Sequence, residues 1–473
     1  LDRFRKDFAP VEVIRLEENY RSTRAILAGA TAVVNRNVRR DPKRLIARRG
    51  SGELIRILEL MDEEAEAETV AGFIEKWTAP DEEFDAGDCA VFFRTAAQSR
   101  PVEESLIRRG IPYTLVGGVK FYERKEVKDI LCYARLALNP RDPLALQRIA
   151  GLGHWGVGAR TVEQVVALSE RLNKTPLDLS GDELKEALRS NSAKAFMRLQ
   201  GRLKKWHLEL RDPEISLMPW LAALIRESNY MAILEEKISD RESKRQVQNI
   251  RENLDQLLGA VADFCEKVET IVEAGPEQLK PADQLELFLA QSSLMSDVDY
   301  WSDSTATPQE EKDKKNRVTL MTLHSAKGLE FPIVFIVGCE EELFPHSRSL
   351  EDQSGVEEER RLCYVGMTRA EQRLVLTYAQ SRRVYGQVKM RAPSRFLKEI
   401  PEDCVQKVSM TKPAAPGKPQ KEFTPGDRVR HSVFGTGRVV HISGRGVGLK
   451  VQVDFPRHGR KTLMQSYAKL RKV

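Results

Sequence analysis

The most constraining feature of the sequence is an alternation of strands and helices that stops, gives way to a long helical segment, and later resumes. Apolar or alternating runs predict strands at residues 11–16, 53–60 and 90–93. Helices are predicted after an N-cap at Ser22, over residues 62–77 and near residues 101–109. Alternation of this kind predicts an α/β fold, in which helices cover a parallel sheet.

Between about residues 142 and 304, almost every segment shows the apolar periodicity of a helix. A polar, charged loop follows at residues 309–317. Strands are then predicted at residues 318–323, 333–337 and 373–377, with a helix at residues 356–367. Because the strand–helix alternation returns, we predict that the helical segment is inserted into the α/β domain.

The C-terminal region has a different composition from the rest. Residues 409–421 are rich in proline, lysine, alanine and glycine, which predicts a linker. Short strands predicted at residues 428–431, 437–442, 449–455 and 461–464 indicate a small β-barrel. Residues 423–473 carry 11 Lys and Arg against 2 Asp and Glu, whereas the whole chain has a formal net charge of +6. This concentrated positive charge favours a polyanion or an acidic protein as partner.

Six cysteines occur without a C-x-x-C pair or a nearby histidine cluster, which predicts reduced thiols in a cytoplasmic protein and no metal site. No run of about 18 apolar residues is present, so we predict no membrane-spanning helix and no membrane partner. The sequence begins at Leu1 and lacks a signal-peptide pattern, so we expect a truncated chain or partial reading frame.

Two segments present an arginine beside a predicted strand. Residues 16–23, Leu-Glu-Glu-Asn-Tyr-Arg-Ser-Thr, place Tyr20 and Arg21 just past the carboxyl end of a strand, where open α/β sheets bind ligands. Residues 357–370 begin with the acidic start of a helix that ends at Gly366, and they present Arg369 on the turn before the next strand. A tyrosine can stack on a base, and an arginine can bind phosphate in a fork or act as an arginine finger. Each segment alone also fits a capping turn or a surface salt bridge.

A third segment, residues 318–331, runs from a buried strand into a polar turn that contains His324, Lys327 and Glu330. Gly328 in this turn allows a positive φ or the close approach of another backbone. Such a turn can offer N–H groups to a phosphate. The same spacing also fits an ordinary strand turn with a solvated lysine.

In this order and wording, the three segments resemble the later motifs of superfamily 1 helicases of the UvrD/PcrA/Rep family. The resemblance extends to residues 117–129 and to the C-terminal barrel. It implies a second RecA-like domain built from residues 1–141 and 306–402, interrupted by a helical regulatory subdomain at residues 142–305. It further implies a linker at residues 403–422 and a Tudor-like β-barrel at residues 423–473.

The resemblance also implies how the chain contacts a nucleotide. Tyr20 would stack on adenine, and Glu330 would contact the ribose. Arg21 and Arg369 would be the catalytic residues, because both would reach the γ-phosphate. The implied cofactor is ATP with Mg²⁺.

A second implied set of residues binds DNA: Arg94, Gly156, Gly158, Thr322, His324 and Tyr385. Tyr385 matches a position on which a base stacks, although strand-end packing is the alternative. Gly156 and Gly158 match a Gly-hydrophobic-Gly turn that meets duplex DNA. The chain departs from the family pattern at His154-Trp155, where relatives usually carry a basic residue. Trp155 could alternatively serve local packing rather than a contact with the duplex.

A phosphate-binding loop is not found in the sequence, because no G-x-x-x-x-G-K-[ST] occurs. Gly417-Lys418 is followed by proline, and Asp62-Glu63 is better explained as the start of an acidic helix. We therefore expect the loop and the Mg²⁺ ligands in a missing N-terminal RecA-like domain, and no ATP hydrolysis by this chain alone.

The implied function is the C-terminal part of an ATP-dependent 3′→5′ DNA helicase that serves DNA repair or replication in the bacterial cytoplasm, at the nucleoid. Its expected partners are single-stranded DNA, single-strand/duplex junctions and, through the barrel, RNA polymerase or repair proteins. The alternative is a non-enzymatic module that binds DNA or RNA polymerase. A helicase-nuclease of the RecB type is disfavoured, because no nuclease domain follows the motor region.

Overall fold

The chain forms two compact units. The first comprises residues 1–119, 302–382 and 388–413, and the second comprises residues 120–301, 383–387 and 414–473. The computed structural model describes residues 8, 12, 14, 16–38, 45–236, 238–272, 279–297, 316–384, 387–410, 424–431, 435–443, 450–456, 459–464 and 471–472.

In the described residues the strands are β1 (Glu18–Asn19), β2 (Ile46–Ala47), β3 (Ile55–Leu60), β4 (Cys89–Phe93), β5 (Tyr113–Val116), β6 (Val318–Thr322), β7 (Phe331–Ile336), β8 (Ala370–Ala379), β9 (Ser381–Val384), β10 (Gln387–Met390), β11 (Val405–Ser409), β12 (Arg428–His431), β13 (Gly435–Ser443), β14 (Lys450–Phe455), β15 (Gly459–Met464) and β16 (Arg471–Lys472). The α-helices are α1 (Arg24–Val34), α2 (Glu63–Trp77), α3 (Ser99–Arg109), α4 (Lys125–Leu138), α5 (Pro143–Gly151), α6 (Ala159–Leu172), α7 (Gly181–Ala187), α8 (Ser190–Glu209), α9 (Leu217–Glu227), α10 (Tyr230–Glu236), α11 (Arg241–Val272), α12 (Pro281–Asp297), α13 (Gln353–Met367) and α14 (Arg395–Lys398).

The first unit is built on a seven-stranded sheet in the order β11-β3-β8-β7-β4-β6-β5. All its neighbouring strands pair in parallel. Successive side chains of a strand point to opposite faces, so Ala90 and Phe92 pack with α1 and α13 while Val91 and Phe93 pack with α2 and α3. The expected α/β architecture is therefore confirmed.

The predicted strand at residues 11–16 is wrong. None of its described residues is in a strand, and Ile14 and Leu16 are 77% and 78% exposed. The strand lies later, in β1, which pairs with β2 outside the main sheet. An apolar run forms a buried strand only where a partner strand and a covering layer exist, and the described residues provide neither here.

The N-cap of α1 is Thr23 and not Ser22. Ser22 is fully buried, and its hydroxyl donates to the carbonyl oxygen of Ala370 at 2.7 Å. The Thr23 backbone N–H likewise donates to the Glu371 carbonyl at 3.1 Å. This turn is therefore attached to the start of β8.

The helical part of the second unit, α4 to α12, shares one apolar core. Ile130, Tyr133 and Ala137 of α4 are fully buried in it, so the boundary lies after residue 119 and not after residue 141. The sequence could not show this, because an amphipathic helix has the same periodicity against a sheet as against other helices.

The barrel strands form an antiparallel five-stranded sheet in the order β15-β14-β13-β12-β16, as the strand pattern predicted. A Cβ on Gly437 would lie 2.6 Å from the Phe455 ring, so only glycine fits there. The predicted linker at 403–422 needs a correction at its start, because β11 adds an edge strand beside β3. The rest of that prediction, from residue 411, lies outside the described residues.

All six cysteines are free. None of the helices in the described part of the chain is both long and apolar enough to cross a membrane.

Candidate functional site

The turn between β1 and α1 holds Arg21 in a fixed position. The Asn19 side-chain oxygen accepts hydrogen bonds from the backbone N–H groups of Arg21, at 3.1 Å, and Ser22, at 2.9 Å. Since Ser22 is also anchored on Ala370, the backbone on both sides of the Arg21 side chain is constrained. Local side-chain bonds of this kind explain why Asn and Ser are suitable in this turn.

Arg21 and Arg369 converge on one edge of the sheet. The Arg21 Nε forms an ion pair with Glu330, and its Nη1 donates to the Thr368 carbonyl at 3.5 Å. The Arg369 Nη1 donates to the Leu329 carbonyl at 3.1 Å. Glu330 and Arg369 immediately precede β7 and β8, so both guanidinium groups lie at the amino ends of these strands.

The charges of this cluster favour an anion. Burial lowers the pKa of Arg369, and the adjacent charge of Arg21 lowers it further, while Glu330 opposes the effect. Two cations held side by side with one carboxylate retain positive charge, which suits a polyphosphate. We call Arg21, Glu330 and Arg369 the arginine cluster.

Tyr20 lies on the same turn as Arg21 and is 66% exposed. Its hydroxyl donates to Glu18, and this hydrogen bond raises the pKa of Tyr20. The hydroxyl is thus engaged while the ring remains accessible, which is compatible with stacking on a base.

Tyr20 and Arg21 follow the carboxyl end of a strand, as expected, but that strand is β1, and Arg21 does not lie at the carboxyl edge of the main sheet. Arg21, Glu330 and Arg369 lie at the opposite edge, because the turn is docked on the start of β8 rather than following a strand of the main sheet. The rule that ligands bind beyond the carboxyl ends of strands therefore does not apply to this cluster.

A second group of predicted residues does lie at the carboxyl edge. Thr322 ends β6, its hydroxyl is 3.1 Å from the Ser325 hydroxyl, and His324 between them is exposed. Gly117, which follows β5 with a φ of 71°, lies beside Ser325. The structure therefore places Thr322 and His324 together, and separates them from the arginine cluster by the length of the strands.

Arg94, also at the carboxyl edge, has a structural partner. Its Nε and Nη2 donate to the two carboxylate oxygens of Glu359 at 2.8 and 2.7 Å. The side chain of Glu359 is only 5% exposed. Burial alone would raise the pKa of Glu359, but hydrogen bonds and charge from Arg94 outweigh it and the net shift is downward. The guanidinium fork is thus directed inward, which favours a structural role over the expected contact with DNA.

We expect Arg94→Ala to lower the free energy of unfolding of the first unit by about 3 kcal/mol, because Glu359 would stay buried without its cation. Urea-dependent hydrogen exchange of the β4 amides would measure the loss. Arg49→Ala is the matched control: its pair with Glu371 is more exposed, and its removal should cost about 0.5 kcal/mol or less. Unchanged stability with weakened binding of single-stranded DNA would show that Arg94 is a DNA contact instead.

In the second unit, Gly156 and Gly158 form an exposed turn before α6. Gly156 has a φ of 69°, and Gly158 is the N-cap of the helix. The preceding Trp155 donates from Nε1 to the hydroxyl of the buried Tyr133 at 2.7 Å, and His154 Nε2 lies 2.9 Å from that hydroxyl. The two residues that replace a basic position are therefore used for packing and hydrogen bonding.

Sequence reasoning missed a buried ionic network beyond the carboxyl ends of β7 and β8. Arg382 donates from Nε and Nη2 to Glu340 at 2.6 and 2.7 Å, and it also pairs with Glu66. The only sequence signal was a glutamate, Glu340, four residues after the end of a buried strand. Tyr385, three residues beyond Arg382, lies outside the described residues, so its predicted stacking role stays a prediction.

The described part of the chain contains no group of three or more His, Cys, Asp or Glu residues that could hold a metal ion. The arginine cluster consists of two guanidinium groups and one carboxylate, which is not a set of metal ligands.

Comparison with known proteins gives the family. A family model described as the UvrD-like helicase C-terminal domain matches residues 14–381, and one described as the PcrA/UvrD tudor domain matches residues 426–472. DNA helicase II of Escherichia coli is 37% identical over 488 residues, which cover 100% of this chain and 64% of that protein. ATP-dependent DNA helicase PcrA of Leuconostoc citreum is 36% identical over 504 residues, which cover 99% of this chain and 64% of that protein.

PcrA of Staphylococcus aureus is 35% identical over 498 residues, covering 99% of this chain and 63% of that protein. The chain thus spans a little under two thirds of the length of these relatives. The interrupted parallel sheet, the helical insertion, the basic barrel and the matched segments agree with these comparisons. The chain belongs to the UvrD-like helicase C-terminal domain family and includes a PcrA/UvrD tudor domain.

Proposed function

We propose that this chain supplies the C-terminal part of an ATP-dependent DNA helicase that moves 3′→5′ along single-stranded DNA in repair or replication. The observation that carries the proposal is the arginine cluster, in which Arg21 and Arg369 converge beside Glu330. Relatives of matching sequence are named as DNA helicases, and the chain aligns with them over its whole length.

In this proposal the chain contributes half of an ATP site. Arg21 and Arg369 bind the γ-phosphate and neutralise negative charge as it develops on the transferred phosphoryl group. Glu330 accepts hydrogen bonds from the ribose, and the exposed Tyr20 ring stacks on adenine. Mg²⁺, when bound, would supply further charge neutralisation, and its ligands would come from an N-terminal RecA-like domain.

In this proposal, one edge of the sheet binds the nucleotide and the opposite edge binds DNA. The arginine cluster lies at the amino ends of β7 and β8, whereas Thr322 and His324 lie at the carboxyl edge, where the DNA strand would run. Strands of five or six residues separate the two sites by about 17–20 Å. When two RecA-like domains close on ATP, the sheet would move as a rigid body and carry the DNA-binding edge with it. No direct contact between the ATP site and the DNA is needed.

Further proposed contacts lie outside this sheet. Tyr385 provides a stacking surface for a base, and Gly156 and Gly158 meet the duplex at a single-strand/duplex junction. The basic tudor barrel binds RNA polymerase or a repair protein. The protein would act in the bacterial cytoplasm, at the nucleoid, where this DNA lies.

We expect no ATP hydrolysis by the chain alone, and DNA-stimulated hydrolysis once an N-terminal RecA-like domain is supplied. The test is a chimera that joins the N-terminal part of E. coli DNA helicase II to this chain at the aligned position. Steady-state phosphate release would be measured with and without single-stranded DNA. The two separate parts, unmixed and mixed, are the controls.

A folded chimera that binds DNA but never hydrolyses ATP would contradict the proposal. It would favour the alternative, a non-enzymatic module that binds DNA or RNA polymerase, for which the basic barrel is the supporting observation. DNA-stimulated hydrolysis by the chain alone would also contradict the assignment of half an ATP site.

A further inference from the structure

Helix α8 is strongly basic on its solvent side. Its 20 residues contain five Lys and Arg against one Glu. Four of the basic residues repeat three or four positions apart, which places them on one face of the helix. These four residues, which we call the α8 stripe, are Lys194, Arg198, Arg202 and Lys205. The opposite face packs in the core through Phe196, Leu199, Leu203 and Trp206.

The positive charge of the α8 stripe is only partly compensated, because two of its four cations have carboxylate partners. Arg202 and Lys205 pair with Glu227 at 3.3 and 2.6 Å, and Lys205 also pairs with Glu209 at 3.5 Å. For Lys194 and Arg198, which are exposed, the described residues provide no ion pair. A face with this much free charge is suited to a polyanion.

The stripe begins beside the glycine turn. The Arg198 Nη2 atom lies 3.9 Å from where a Cβ on Gly156 would be, and the Ala195 methyl lies 3.6 Å away. The two residues before Gly156 are His154 and Trp155 rather than a basic residue, and both contact the Tyr133 hydroxyl. Arg198 therefore brings positive charge from another helix to the place where the turn lacks it.

We propose that the α8 stripe binds the phosphate backbone of duplex DNA, with Lys194 and Arg198 as further DNA-binding residues. The inference rests on the proposed function and extends the contact made by Gly156 and Gly158. At 1.5 Å per residue, positions 194 to 205 span about 16 Å, a length over which a duplex presents several phosphates.

Duplex DNA is favoured over single-stranded DNA because the stripe has no stacking surface. Both aromatic residues of α8, Phe196 and Trp206, are fully buried. Proteins that hold single strands combine positive charge with exposed aromatic rings, and only the charge is present here. Binding should accordingly depend on salt and be independent of sequence.

The test is the double variant Lys194→Gln/Arg198→Gln of the complete chain. Fluorescence anisotropy would measure binding to a labelled duplex and to a labelled single strand across a range of salt concentrations. We expect duplex affinity to fall about tenfold at low salt, and the slope of log K against log salt to fall by about 2. Single-strand affinity should change by less than about twofold.

Lys244→Gln/Arg245→Gln is the matched control. Both residues are exposed on α11, and their substitution removes the same amount of charge from the same unit. We expect duplex affinity to change by less than about twofold in this control. Thermal unfolding of both variants would confirm that they remain folded.

An equal loss in the control and the stripe variant would reduce the effect to net charge and overturn the inference. Equal losses for duplex and single strand would overturn the assignment to duplex DNA. If the unsubstituted chain binds DNA and the stripe variant binds duplex equally well, this inference falls alone. If the unsubstituted chain binds no DNA, the proposed function falls with it.

Discussion

In the chimera, Arg369→Ala is expected to lower the rate constant for DNA-stimulated ATP hydrolysis by about 10³-fold or more. The guanidinium of Arg369 is held by the Leu329 carbonyl at 3.1 Å and lies beside Arg21. A phosphoryl group in transfer gains charge on its outer oxygens, and a preorganised cation there stabilises the transition state more than the ground state. The loss should therefore appear in kcat, with a smaller change in KM. Phosphate release under saturating DNA would measure both.

Three comparisons make this prediction specific. Arg369→Lys keeps the charge but loses the planar fork, so we expect only partial recovery. Arg49→Ala removes an exposed arginine of the same unit, paired with Glu371, and should change kcat by less than about twofold. Single-strand binding by Arg369→Ala should match that of the unsubstituted chimera, which separates catalysis from folding. A kcat within about tenfold of the unsubstituted value would contradict the assignment of Arg369 to the ATP site.

The central strands of the sheet could be predicted, and its edge strands could not. All five residues of β4 are apolar and buried, because both faces of that strand are covered. Edge strands β5 and β11 contain exposed positions and lack a continuous buried run. These strands are short, so no strand was predicted for β5 and β11 was included in the predicted linker.

Some features of the candidate site could likewise be predicted from the sequence, and others could not. The sequence identified the segments of Arg21, Glu330 and Arg369, and the structure brings these three side chains together. It did not show which edge of the sheet they occupy, because that depends on the docking of Ser22 against β8. For Arg94, the segment was correct but its carboxylate partner lies 265 positions away, and no local pattern could reveal it.

The network of Arg382 with Glu66 and Glu340 shows why buried charge is hard to predict. The three residues lie on different segments that converge only after the sheet has formed. Glu66 also accepts hydrogen bonds from the Gly338 backbone N–H at 3.0 Å and the Thr377 hydroxyl at 2.5 Å, and the Ala379 backbone N–H donates to Glu340 at 2.7 Å. The network thus connects α2, β8 and the segment after β7, just before the chain reaches Tyr385.

Arg382→Met is expected to lower the free energy of unfolding of the first unit by about 3–5 kcal/mol near neutral pH. Two carboxylates would remain buried without their cation, and Glu340 is fully buried. Urea-dependent hydrogen exchange of β3 and β8 would measure the loss. Arg382→Met combined with Glu340→Gln should recover about half of it, because one buried charge is removed while the side-chain amide oxygen can still accept the hydrogen bond from the Ala379 backbone N–H.

The stability deficit of Arg382→Met should depend on pH in a direction that can be derived from Glu340. Burial raises the pKa of Glu340, and the charge of Arg382 opposes that effect, so removal of Arg382 should raise the pKa further. A carboxyl whose pKa is raised by folding favours the folded state when protonated, and that contribution is lost as pH rises through the folded pKa. The deficit of Arg382→Met should therefore be small near about pH 5 and largest near about pH 8. In Arg382→Met with Glu340→Gln this dependence should flatten, since Glu340 no longer titrates. A deficit that is equal at both pH values, or that grows towards acid, would mean that the ionised carboxylate of Glu340 is not what destabilises the variant.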